Sequence, residues 1–126
     1  MSLSESIVLA NEADANRTFV TTIVDKTSVT RLDEATTLQT PTKLVISHNT
    51  SGSGDSLADR HLIQATRVTL DSNDVPMTTV VNLTISQPRR AASNADVLDL
   101  VSFIKELIDN AGNASDALVD ILQGQS

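Results

Sequence analysis

The stretch that decides the fold begins Thr42-Lys43-Leu44-Val45-Ile46-Ser47-His48-Asn49, passes through Ser51-Gly52-Ser53-Gly54, and returns over His61 to Leu70. The first segment is dense in β-branched and apolar residues and starts just after Pro41, so it reads as a strand. The glycine–serine stretch reads as a flexible turn, and His61 to Leu70 as the return strand. A second turn, Asp71-Ser72-Asn73-Asp74-Val75-Pro76, leads to a third long strand, Met77 to Gln87, rich in Thr and Val and closed by Pro88. Three long strands joined by short turns predict an antiparallel meander over residues 39–88.

Shorter strands come before this block. Ser6 to Ala10 and Arg17 to Val24 read as an N-terminal hairpin connected through Asn11 to Asn16, and Val29 to Leu32 as a third, short strand, all within residues 1–38. Beyond the block, residues 93–126 read as helical. Ser93 followed by Asp96 resembles a capping box with Asp at its third position. Val97, Leu100, Val101, Ile104, Leu107 and Ile108 recur at helical spacing and form one apolar face. Gly112 stands where a helix C-terminal glycine is expected. A second short helix, capped by Asn113 or Ser115, carries Leu118, Val119, Ile121 and Leu122 and ends at Gly124. The reading is a single α+β domain over 1–126.

Composition narrows the function. Phe19 and Phe103 are the only aromatic residues among 126, with no Trp or Tyr. The core is therefore aliphatic, without the contact area that aromatic rings supply, and oligomerisation is expected to complete it. There is no cysteine, which excludes disulfides, thiolate metal sites and cysteine nucleophiles. The N-terminus has no basic region followed by a long apolar stretch, and no apolar run approaches the roughly 18 residues of a membrane span. A soluble protein made in a cytoplasm is expected, with no membrane partner.

The net charge of −7 speaks at first against nucleic acid, but the charges are unevenly spread. Residues 93–126 hold one cation, Lys105, against six acids, a net of −5. The spans read as long strands (42–49, 60–70, 77–87) hold Lys43, Arg60 and Arg67 and no acid. The acids of that zone, Asp55, Asp59, Asp71 and Asp74, are expected in turns. Arg89 and Arg90 lie between sheet and helix. A sheet covered by helices on one face leaves the other open, and fixed cations there would attract phosphate. Thr, Ser, Lys and Arg would equally serve to solvate an exposed sheet face.

The order of elements resembles the coat proteins of single-stranded RNA bacteriophages (leviviruses). Ser6-Ile7-Val8-Leu9 looks like that family's first strand, and Lys43-Leu44-Val45-Ile46-Ser47 like its central RNA-facing strand. Thr66-Arg67-Val68-Thr69-Leu70-Asp71 and Asn82-Leu83-Thr84-Ile85 look like the two strands that follow, and Ser93 onward like the paired helices. The resemblance covers nearly the whole chain. It implies a homodimer whose sheets join edge to edge, with each subunit's helices packed on the partner's sheet. It also implies assembly of dimers into an icosahedral shell around single-stranded viral RNA. Its location would be the virion, assembled in the bacterial host's cytoplasm, and an RNA hairpin bound to the dimer would repress replicase translation.

Strand alternation carries the resemblance onto residues. Leu44, Ile46 and His48 share one face, and Lys43, Val45, Ser47 and Asn49 the other, which the resemblance assigns to RNA. Val68 and Leu70 read as core-facing, which puts Arg67 and Thr69 with the RNA set. Val81, Leu83 and Ile85 read as core, leaving Thr78, Val80, Asn82 and Thr84 toward RNA. At Ile63 and Gln64 this pattern would place Gln64 in the core, and a bulge or one-residue slip would reverse the faces. Val97, Val101, Ile104 and Ile108 are assigned to the dimer interface, with plain intramolecular core as their other reading. The chain departs from the family in three ways. Thr78 or Val80 stands where an aromatic often stacks on an RNA base, a contact worth roughly 1–3 kcal/mol per base. The turn Asp71 to Pro76 is short, and no cysteine can staple neighbouring subunits.

Two other function classes are open to this sequence. His48, His61, Asp55 and Asp59 lie near one turn and could suggest an acid–base or metal site, but their spacing matches no known metal pattern. No glycine-rich phosphate loop or nucleophile elbow is present, so neither catalysis, a cofactor, a bound metal nor a small-molecule substrate is expected. A small dimeric α+β ligand-binding module of bacterial origin would share the same pattern. It predicts a discrete dimer where the coat reading predicts shells.

Overall fold

A computed structural model of the chain describes residues 6–11, 15–90, 93–108 and 114–124. The chain divides into two compact units, residues 1–90 and 91–126. The first unit is a sheet of six strands in the order of the sequence: β1 (Ser6–Ala10), β2 (Asn16–Val24), β3 (Ser28–Asp33), β4 (Thr42–Ser51), β5 (Ala58–Leu70) and β6 (Pro76–Pro88). Every neighbouring pair is antiparallel. The expected hairpin, short strand and meander are thus consecutive parts of one sheet. A bulge at Thr22 separates Thr21, opposite Arg31, from Ile23, opposite Thr30. Such an extra residue kinks and twists its strand.

The turns follow from local chemistry. Between β4 and β5 the chain makes a single 3-10 turn over Gly54–Ser56, with Ser56 Oγ donating to the Ser53 carbonyl at 2.7 Å. Gly52 holds φ +82°, and a Cβ there would lie 2.4 Å from the Ser56 carbonyl oxygen. Only glycine meets both demands. Between β5 and β6, Asp71 Oδ1 accepts from the N–H groups of Asn73 and Val75 at 2.8 and 2.9 Å, an aspartate turn that closes in few residues.

Long strands extend past their expected ends, and this moves one acid. Asp59, expected in a turn, is the second residue of β5 and pairs with Thr50. The long strands are therefore not free of acids.

The second unit holds α1 (Asn94–Ile108) and α2 (Ala114–Leu122), which contact each other. Ser93 Oγ accepts from the Asp96 N–H at 3.4 Å, the expected cap. Asp96 in the first turn and Lys105 in the last are placed to complement the helix dipole. The expected stop at Gly112 and the Asn113 cap lie outside the described residues, as does the Ser115 side chain. No residue of α1 is buried, and Leu100, Phe103, Ile104, Leu107, Leu118 and Val119 are all exposed.

Candidate nucleic-acid interface

Residues directly opposite across an antiparallel pair point to the same side, so the register sorts side chains into two faces. On the face of Lys43 lie Val45, Ser47 and Asn49 of β4. Their partners Thr66, Gln64, Leu62 and Arg60 on β5 follow, and then Val80, Asn82, Thr84 and Ser86 on β6. Thr78, opposite Val68, joins them. Seven of the expected residues, Lys43, Val45, Ser47, Asn49, Thr78, Val80 and Asn82, are thereby brought to one face.

Arg67 and Thr69 are not on it. The register pairs Arg67 with Thr42 and Thr79, and Thr69 with Met77, which puts both with Leu44. Val68 and Leu70, expected toward the core, lie on the Lys43 side instead. The slip has a physical cause. β5 runs in unbroken register from Ala58 to Leu70, with Leu62, Val68 and Leu70 on the Lys43 face and Ile63 and Ala65 on the Leu44 face. Choosing the core side from Val68 and Leu70 therefore reverses the faces.

The same register brings in residues that the alternation did not select. Arg60 sits opposite Asn49 and Ser86, and becomes the second strand cation beside Lys43 on this face. Ser47, Asn49, Arg60, His61, Leu62 and Thr84 line an open hollow of about 180 Å³. It combines a guanidinium, hydroxyls, an amide and an apolar side chain. That set can pair with phosphate or with base edges while one apolar contact meets a ring face. The signal for Arg60 was present in the sequence as an exposed cation in a strand; only the register could give its side.

The opposite, Leu44 face is built differently. Asp33, 1% exposed, takes hydrogen bonds from Arg17 Nε at 2.7 Å and from the Ala35 N–H at 3.0 Å, with Arg17 Nη2 also at 2.7 Å. Thr36 Oγ1 donates to the Asp33 carbonyl and accepts from the Thr42 N–H, and Thr42 Oγ1 accepts from Arg67 Nε at 3.1 Å. A polar chain thus runs from β2 to β5 beneath the β3–β4 connection. Arg67 has a structural partner there. Leu44, Arg31, Asp33 and Thr42 are the buried residues of this face.

Where the sheet unit ends, ion pairs tie the last residues to the start of β5 and to the β4–β5 turn. Arg89 Nη2 lies 2.6 Å from Asp59 Oδ1, and Arg90 Nη1 2.8 Å from Asp55 Oδ2. The Arg89 N–H also donates to the Leu57 carbonyl at 3.0 Å. The hydrogen bond from Arg89 holds the Asp59 carboxyl below the usual carboxylate range, against a smaller opposing effect of burial; Thr50 and His61 pull in the same direction as Arg89. The two histidines stand opposite each other on the Leu44 face. Among the described residues, no three His, Asp or Glu side chains gather as a metal cluster, and no helix is long and apolar enough to cross a membrane.

No protein-family model and no curated protein sequence matches the chain. Solved structures do. The coat protein of bacteriophage EMS014 superposes with a TM-score of 0.66 at 14% identity, over 85% of this chain and 74% of that one. A virus-like particle of Beihai levi-like virus 21 gives 0.65 at 14% identity, over 97% and 94% of the two chains. The capsid protein of bacteriophage GA gives 0.64 at 14% identity, over 97% and 95%. The six-stranded meander followed by helices is therefore the fold of these phage coat proteins.

Proposed function

We propose that this chain is the capsid protein of a small single-stranded RNA bacteriophage. In this reading it pairs as a homodimer and assembles into an icosahedral shell around the genome. The observation that carries the reading is a mismatch between apolar content and burial. Leu44 is the one buried hydrophobic residue among those described. Within the sheet unit Ile23, Val24, Met77 and Val81, and within the helical unit Leu98, Leu100, Phe103 and Leu107, are exposed, apolar surface of the kind that obligate interfaces bury. Val97, Val101, Ile104 and Ile108 on α1, and Val81 and Met77 on β6, are the side chains a second copy would cover. Among the described residues no strand pairs with the outer edge of β6, so a partner's β6 can extend the sheet.

The Lys43 face then looks to the RNA. Lys43, Val45, Ser47, Asn49, Thr78, Val80 and Asn82 form this surface with Arg60, and Arg67 and Thr69 are left out because they share the other face. With two strand cations and no aromatic, the face binds RNA through phosphate contacts and hydroxyls more than through stacking. Repression of replicase translation through a hairpin depends on the same surface.

The test is expression of the chain alone in bacteria, followed by size exclusion and negative-stain microscopy. Shells are expected, and only small oligomers under all conditions would refute the reading. Ile104→Asp and Ile108→Asp are expected to abolish assembly. Lys43→Ala and Arg60→Ala are expected to lower encapsidated RNA more than shell yield, and unchanged RNA content would refute the assigned face.

A further inference from the structure

His48 on β4 and His61 on β5 are directly paired across the sheet. Their Nδ1 atoms are 2.8 Å apart, with ring centroids at 5.0 Å and an interplanar angle of 74°. The chain has no other histidine and no cysteine. Two imidazole nitrogens directed at each other at this distance need something shared between them: a proton on one ring, or an ion on both.

We propose that His48 and His61 chelate one divalent transition-metal ion of the zinc class through their Nδ1 atoms. Nitrogens bound at about 2.0–2.1 Å and at a tetrahedral angle stand about 3.3 Å from each other. Opening the observed pair by about 0.5 Å, a small ring rotation, reaches that geometry. The backbone is already fixed at both ends: His48 and His61 lie inside the β4–β5 ladder, and the His48 N–H donates to the Thr27 carbonyl at 2.8 Å. Little ordering entropy remains for the ion to overcome. Binding uses both Nδ1 lone pairs, so a proton carried on either Nδ1 in the ion-free pair must leave that atom through solvent, to Nε2 of the same ring or to water.

The surroundings add no third protein ligand. Asp59 lies two residues from His61 on the same face, its carboxylate occupied by Arg89 and Thr50, and Ile85 is the β6 partner of His61. Asp59 is thus committed to Arg89, and the site is a two-ligand chelate whose other positions take water. The site is independent of the coat reading: it would exist in a discrete dimer as well as in a shell.

The experiment is calorimetric titration of the full-length, chelator-stripped protein with Zn²⁺. One ion per chain is expected, and no binding would overturn the proposal. His48→Ala and His61→Ala should each weaken binding by more than about tenfold; affinity unchanged in either would overturn it. Asp59→Asn should bind as the parent does, and loss of binding there would overturn the two-ligand assignment. Electron paramagnetic resonance of the unmodified protein with Cu²⁺ needs no variant to fold: coupling to two imidazole nitrogens is expected, and coupling to none or one would overturn the chelate. A parent that fails to form shells yet shows this site would sink the coat reading alone.

Discussion

Strands β3 and β4 and strands β5 and β6 present the same face of one sheet in two different states. At β3–β4 the face is buried by the chain itself, and what it buries is largely polar: Arg31, Asp33 and Thr42 around Leu44. At β5–β6 the face is open and mixed, with the apolar Ile63 37%, Met77 54% and Val81 66% exposed beside Arg67, Thr69 and Thr79. A soluble chain on its own would be expected to show the reverse. Asp33 can be sealed within the chain because its partners, Arg17 and the N–H of Ala35, are supplied by β2 and by the β3–β4 connection. The open end has no such cover among the described residues of the sheet unit. This face is therefore closed locally at one end and open, among the described residues of the sheet unit, at the other.

Substitutions at both ends test that contrast. The largest effect is expected at Asp33. Asp33→Ala removes the acceptor of Arg17 and of the Ala35 N–H in a buried setting, and should destabilise the sheet by about 3 kcal/mol, read as a lowered denaturation midpoint. A loss below about 1 kcal/mol would show that the sealed end is less closed than its burial implies. Next comes Arg67→Ala, which removes the donor to Thr42 Oγ1 and should cost about 1 kcal/mol. An effect on RNA content with no effect on stability would return Arg67 to the nucleic-acid face. At the open end, Val81→Thr should change stability by less than about 0.5 kcal/mol at protein concentrations too low for association, while reducing shell yield. Equal losses at Val81 and Asp33 would erase the contrast.

The smallest effect is expected at the Asp59–Arg89 pair, and it depends on pH. Since Arg89 lowers the Asp59 carboxyl's affinity for protons in the fold, the pair's contribution is present above the ordinary carboxylate range. It is lost as pH falls through the lowered value. Asp59→Asn should therefore shift the midpoint slightly at neutral pH and not at all in strong acid. A difference that grows on acidification would refute the assigned sign.

Much of this architecture was legible in the sequence. Strands at 6–10, 17–24 and 42–49 and the helix after Ser93 follow from local composition, because β-branched runs, glycine–serine turns and helical spacing are decided by near neighbours. The faces of β5 were not legible. Its side is set by pairing with β4, and the Leu44 face around Arg67 is polar, with Thr42 and Asp33 beside it. An arginine belongs there, so hydrophobicity does not report the side. Asp59 was misplaced for a similar reason: its strand is extended by the partnership with Thr50 and Arg89, both remote in sequence. The histidine pair was visible only as two residues near one turn, because their contact depends on the register that makes 48 and 61 opposite.

The strand order β1 to β6, identical to the order of synthesis, sets how the sheet can come into being. Each strand pairs only with the one before it and the one after it, so every step closes a short loop and none waits for a distant segment. Loop closures of that kind carry little entropy and favour rapid folding. The sheet can zip up hairpin by hairpin as the chain emerges. β6, which like β1 is an edge strand among the described residues, is completed last. Strand order alone therefore has the edge proposed above for a partner's β6 form only after the other five strands have taken their places.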